Sequence, residues 1–222
     1  MNAYKGGKIM SRSLGPIHHW LFNKIQLYEE LEEKLYNTYR KRFGDLIPDI
    51  LADKREIYGF PVRGKRLEEI IDEDNIHGWL QGKIAAAETR QAAFLAEVIS
   101  NFDKRATDLA KEIYADHGQK CGKDAQLKKE TDTAPQIYKA LNDYILDGMP
   151  CDTANRVTVK EDDQIKWEEE KCLHLEHWQR TKADIDLLYQ LRQIWIENFV
   201  QGANSNYKYF FSRYNDSFKH TI

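Results

Sequence analysis

The segment ADIDLLYQLRQIWIENFVQG, residues 183–202, constrains the fold more than any other stretch of this chain. On a helical wheel Leu187, Leu188, Leu191, Ile194, Trp195, Ile196, Phe199 and Val200 surround the axis. A helix that is apolar nearly all round has no face to give to water, so it must be enclosed by other elements. Gly202 stands where such a helix ends. The rest of the sequence must therefore supply a shell of amphipathic elements around it.

Four stretches upstream meet that need. SLGPIHHWLFNKIQLYEELEEKLYNTYRKRFG reads as a long helix with Pro16 in its first turn and Gly44 just past its end. Ile17, Leu21, Ile25, Tyr28, Leu35 and Tyr39 share one face, His18 sits at its edge, and Lys24 lies unusually close to the apolar arc. Asn75 is the expected cap of a second helix. Ile76, Leu80, Ile84, Ala87, Phe94, Leu95, Val98 and Phe102 form its buried face, with His77, Glu88 and Gln91 on or beside it. Polar groups on a buried face need partners or a cavity. Asp103 is the expected start of a third helix, on which Leu109, Ile113, Tyr114, His117 and Cys121 face inward. Its paired glycines, Gly118 and Gly122, would let another element approach closely. A fourth helix, APQIYKALNDYILDG, is expected to stop at Gly148.

Residues 45–73 hold two prolines and two glycines and read as short helical turns joined by loops. After Cys151 the period changes from helical to alternating. Val157 and Val159, then Ile165 and Trp167, flank a turn at Asp162 and Asp163, which is a hairpin signature. Because an isolated hairpin is marginal, a third strand is expected in NYKYFFSRYND, where Tyr207, Tyr209 and Phe211 alternate with Lys208, Phe210 and Ser212. The expected architecture is one α+β domain over 1–222, predominantly α-helical, with a helical core and a small antiparallel sheet. Its parts are a flexible tail over 1–12, a helical part over 13–147, and the hairpin, buried helix and final strand over 148–222.

Chemistry concentrates in GMPCDTANRVTVKEDDQIKWEEEKCLHLEHW, residues 148–178, which carries Cys151 and Cys172, His174 and His177, and Trp167 and Trp178. A thiol needs help to ionise near neutral pH, and a neighbouring imidazole supplies it. Cys172 is therefore the candidate nucleophile, with His174 or His177 as acid or base. The same residue types ligate zinc or iron. His117 and Cys121, four apart and so on one helix face, form the nucleus of an alternative metal set with Cys151 and His18 as outer candidates. Inward histidines on several helices raise haem as a further cofactor.

The 33 basic and 36 acidic residues give a net charge of -3, which argues against a phosphate-backbone binder. No run approaches the roughly 20 apolar residues of a membrane span. The N-terminal MNAYKGGKIMSRSLGP lacks an apolar core of the kind secretory signals carry. Three cysteines are too few and too odd for a disulfide framework, so a cytoplasmic setting is expected. The chain contains no G-x-S-x-G, P-loop, G-x-G-x-x-G, H-E-x-x-H or C-x-x-C motif.

The order of features over residues 105–215 resembles the group around L-2-amino-thiazoline-4-carboxylic acid hydrolase. These features are the paired glycines, a further helix, a hairpin whose second strand runs IKWEEEKC, and a hydrophobic helix leading to a strand after GANSN. The resemblance implies an α+β fold with helices against a small antiparallel sheet, and makes Cys172 the first residue to test as nucleophile or ligand. The resulting expectation is a cytosolic small-molecule-binding protein, hydrolase-like through a Cys/His site. The alternatives are a metal- or haem-binding helical protein and a non-catalytic scaffold, and self-association into a homo-oligomer is a further expected property.

Overall fold

The structure is a computed structural model and describes residues 14–169, 171–214 and 217–222. The expected tail over 1–12 lies outside the described residues. Among those described there are seven α-helices and a four-stranded antiparallel sheet, a predominantly helical α+β arrangement. The helices are α1 (Pro16–Phe43), α2 (Leu46–Tyr58), α3 (Leu67–Ile70), α4 (Ile76–Lys128), α5 (Ala134–Tyr144), α6 (Leu175–Gln179) and α7 (Ile185–Ala203). The strands are β1 (Asn155–Lys160), β2 (Ile165–Glu169), β3 (Phe210–Tyr214) and β4 (Ser217–Thr221). Among the described residues no helix is long and apolar enough to cross a membrane.

Local chemistry explains most boundaries. Pro16 opens α1, and Gly44 follows it with φ of 82°. Asn75 caps α4 by accepting from the Gly78 amide at 3.1 Å. The second and third expected helices follow one another within α4 and are divided by a kink at Asp103, whose φ of 52° and ψ of -138° interrupt the helical backbone. Thr133 and Gln136 form a reciprocal capping box at α5, and α5 ends at Tyr144, short of the expected Gly148. The connection over 45–73 contains a real helix, α2, of 13 residues. Pro48 falls in its first turn, where no intrahelical amide is needed, so it does not break the helix.

The α7 helix is central. Leu191, Phe199, Val200 and Ala203 are fully enclosed. The glycines of α4 set its distance: a Cβ on Gly118 would lie 2.3 Å from the Trp195 carbonyl, and one on Gly122 would lie 2.1 Å from that of Phe199. Gly202 answers from α7, where a Cβ would meet the Gln119 carbonyl at 2.5 Å. The two backbones thus meet where side chains would separate them.

The sheet order is β1-β2-β4-β3. The hairpin pairs Asn155 with Glu169 and Lys160 with Ile165, with a register shift between Val157 and Val159. The expected third strand begins at Phe210, and its alternation holds: Tyr209 is buried and Phe210 is 63% exposed. The final strand, β4, is an addition to the expected sheet, inserted between β2 and β3.

A buried ion network anchors the connection between α2 and α4. The Arg90 guanidinium, fully buried, donates to Glu32 at 2.8 Å, to Glu29 at 3.2 Å and to the Gly59 carbonyl at 2.8 Å. Glu29 in turn accepts from the amides of Val62 at 2.9 Å and Arg63 at 2.7 Å.

Candidate functional site

A second buried network gathers residues from four separate segments. Glu88 comes from the N-terminal part of α4, Asp147 from the loop after α5, His174 from the start of α6 and Arg192 from the middle of α7. His174 Nδ1 faces both Glu88 oxygens at 3.1 Å. Its Nε2 stands 3.3 Å from Asp147 Oδ1, an ion pair in which the hydrogen-bond alignment is poor. Arg192 Nη2 donates to the same Asp147 oxygen at 3.0 Å, and Asn155 Nδ2 donates to the other at 2.6 Å. The His174 ring stacks on Trp178, one helical turn further on, at 5.2 Å between centroids.

With a carboxylate at each ring nitrogen, His174 is held as an imidazolium. Burial alone would lower its pKa, but Glu88 and Asp147 reverse that and raise it to about 10. Burial would likewise raise the Asp147 carboxyl, yet Arg192, His174 and Lys24 hold it well below the ordinary carboxylate range. Glu88, Asp147, His174 and Arg192 together balance two negative charges with two positive ones.

This network borders a cavity of about 50 Å³. Leu27, Leu31, Ile145, Leu146, Leu188, Trp178 and Trp195 supply apolar wall, while Tyr28, Tyr114, His117, His174 and Arg192 supply polar groups. Room of this size admits a couple of waters or a molecule of a few non-hydrogen atoms. Tyr114 Oη donates to Gln91 Oε1 at 2.7 Å, and Gln91 Nε2 donates to the Tyr28 carbonyl at 3.3 Å. The polar residues expected on the buried face of α4 thus divide: Glu88 and Gln91 serve this site, while His77 is exposed and lies against the His18 ring at 5.7 Å. On the far side of Asp147 a smaller polar cavity, about 20 Å³, is bordered by Asn142, Asn155, Glu169 and His220.

Lys24 belongs to the same neighbourhood. It is only 2% exposed, and its Nζ lies 4.0 Å over the Trp20 ring. Burial lowers its pKa to about 8, with Asp147 and Asp143 opposing and Arg192 adding to the shift.

The structure brings the expected site residues together only in part. His174 is in the network, but it faces carboxylates, not the Cys172 thiol. Cys172 is half-buried and accepts from the Tyr189 hydroxyl at 2.9 Å. His177 is buried on α6 with Nδ1 unpartnered. His117 and Cys121 do meet, at 3.8 Å between Nδ1 and Sγ. The Trp195 indole donates to that same His117 nitrogen at 2.9 Å, so the lone pair a metal would need is engaged and the ring proton sits on Nε2. Burial pushes the Cys121 thiol up to about 12 and the His117 pKa down to about 4, as for a packed thiol beside a neutral ring. Cys151 is exposed, and His18 accepts the Gly15 amide at the start of α1. The expected metal set of His117, Cys121, Cys151 and His18 therefore does not assemble. Among the described residues no group of three or more His, Cys, Asp or Glu side chains is placed to hold a metal ion.

Sequence reasoning missed Asp147 and Arg192. Asp147 sits in a loop with no period to read. Arg192 did leave a signal, a lone charge in LLYQLRQIWI, the middle of a helix that is otherwise apolar. Comparison of the chain with family models, with curated proteins and with solved structures returns no match.

Proposed function

We propose that this chain is a small-molecule-binding protein whose site is the cavity between α1, α4, α5 and α7. One observation carries the reading: an apolar cavity is bordered by a charged His174–Arg192 pair that Glu88 and Asp147 hold rigidly in place. Apolar walls with a few fixed polar groups are the general form of a ligand site. Buried, strongly perturbed ionisable groups beside a cavity point the same way. The held imidazolium and guanidinium favour a ligand with an acceptor group, above all a carboxylate. Three free thiols suit a cytoplasmic setting.

Trp178 and Trp195 line the cavity and provide the test. A panel of small carboxylic acids is expected to change tryptophan fluorescence and to raise the thermal midpoint. An Arg192→Leu variant is expected to lose both responses. A panel without effect on either signal would refute the reading.

A hydrolase-like reaction at Cys172 is the second reading, and the Tyr189 hydroxyl that donates to its sulfur at 2.9 Å favours it by fixing the sulfur's position. It requires Cys172 to react faster with iodoacetamide than Cys151, which is more exposed. Slower reaction at Cys172 would rule it out.

A further inference from the structure

We propose that the smaller cavity, beside Asp147, is a binding site for one water molecule, which accepts a hydrogen bond from His220 Nε2 and donates one to Glu169 Oε1. This goes beyond the ligand cavity and does not depend on what that cavity binds.

The starting observation is a pair of orphaned atoms. Glu169 closes β2 and His220 lies in β4; the two are 7% and 6% exposed. Glu169 Oε1 and His220 Nε2 are buried and, among the described residues, have no hydrogen-bond partner. A buried polar atom left unpaired is costly, and native interiors rarely keep one. Here a carboxylate oxygen and a ring nitrogen of this kind belong to residues that border the same cavity. They do not satisfy each other, since Nε2 stands 3.8 Å from Glu169 Oε2, beyond hydrogen-bond reach. The imidazole is also held where it is. It stacks on Trp167 with 4.8 Å between centroids and 4° between planes, and its Nδ1 meets Tyr209 Oη at 2.7 Å.

Tyr209 decides what the ligand must be. It is buried, and among the described residues His220 Nδ1 is the partner of its hydroxyl. A buried phenol proton needs an acceptor, so Tyr209 donates and Nδ1 accepts. The ring proton then sits on Nε2. The ligand must therefore accept from Nε2–H and donate to Glu169 Oε1. An ammonium ion has no lone pair for the first bond, and a halide has no hydrogen for the second; a hydroxyl group makes both. Size selects water among hydroxyl compounds. A space of about 20 Å³ exceeds the roughly 10–15 Å³ that one water occupies and leaves little for a carbon chain. Asn142 and Asn155 border the same space. Their amide nitrogens are committed to the Tyr138 carbonyl at 2.8 Å and to Asp147 at 2.6 Å, which leaves their oxygens to accept the second O–H. Buried waters make about three hydrogen bonds, the number found here. Asp147 and Arg192 complete the border, so the water lies between the sheet and the His174 network.

The experiment is a high-resolution crystal structure of the full chain, with proton–nitrogen correlation spectra of the His220 ring in solution. Density for one water is expected about 2.7–3.2 Å from His220 Nε2 and about 2.5–3.0 Å from Glu169 Oε1. A cavity without density, or a direct hydrogen bond between Glu169 and His220, overturns the proposal. The spectra are expected to place the ring proton on Nε2, and a proton on Nδ1 overturns it. Glu169→Gln retains an acceptor oxygen and is expected to keep the water. His220→Phe removes the donor and is expected to lose it; a water unchanged in place and occupancy in that variant overturns the bridge.

Discussion

Replacing Glu88 by Gln tests the central network most directly. The substitution keeps the side-chain shape and removes one of the two charges on which the His174 imidazolium depends. The rise in the His174 pKa from 6.5 to about 10 corresponds to about 5 kcal/mol favouring the charged ring, at about 1.36 kcal/mol per pKa unit. Glu88 and Asp147 share this against the cost of burial. Breaking one partner of a buried pair costs about 3–5 kcal/mol; glutamine still offers an oxygen, so the lower end, about 3 kcal/mol, is expected. A second signature follows from the sign of the shift. Because folding raises this pKa, the stabilisation is fully present below 6.5 and is lost as pH rises through about 10. Urea denaturation of both proteins between those limits should show wild-type stability falling with pH through this group, and a smaller His174 contribution in the variant. Equal stability at neutral pH, or an unchanged pH slope, would refute the imidazolium assignment.

Gly122→Ala places a Cβ 2.1 Å from the Phe199 carbonyl and must separate α4 from α7. A loss of at least about 1–3 kcal/mol is expected in thermal or urea unfolding, and a neutral result would show that the two backbones do not meet there. Arg90→Leu leaves Glu29 and Glu32 buried without their cation. It should cost about 3–5 kcal/mol and expose the loop over 59–63 to protease. Cys121, with its thiol pushed up to about 12 by burial, should resist iodoacetamide in the folded protein, while exposed Cys151 reacts; rapid loss of both thiols would contradict the packing of α4. The paired change Asp147→Leu with Arg192→Met should be less destabilising than either single change, as double-mutant stabilities would show, yet abolish the fluorescence response to acids.

What could be read from the sequence was what is local. The ends of α1, the Asn75 cap, the break at Asp103, the hairpin and the enclosed α7 all follow from residues within a few positions of each other. The close approach at Gly118 and Gly122 was legible because only glycine allows it. Three elements were not visible. Pro48 signals a loop unless its place in a first turn is known. The α6 helix is five residues long, too short for a period. The β4 strand is five residues long, and its described buried residues, Phe218 and His220, are too few to set a period. At the site, His174 was found as a reactive residue and given the wrong partner. Its neighbour in sequence is Cys172, but its neighbour in space is Glu88, 86 positions away. Spacing finds groups that share a turn of helix; it does not find groups that meet only once the chain has packed.

Two of the buried ion networks among the described residues differ in a way that supports the proposed site. Both involve charges that apolar residues would replace at little cost in stability, so neither is explained by stability alone. The Arg90 network spends all its bonding on the protein itself: two carboxylates, a carbonyl and, through Glu29, two backbone amides of the connecting loop. Every contact fixes one part of the chain to another, which is a sufficient role. The His174 network is not closed in this way. Its histidine and arginine border one cavity, and its arginine and Asp147 border a second. The His174–Arg192 pair beside the cavity, more than the presence of histidine or cysteine as such, is therefore what supports the ligand site proposed above.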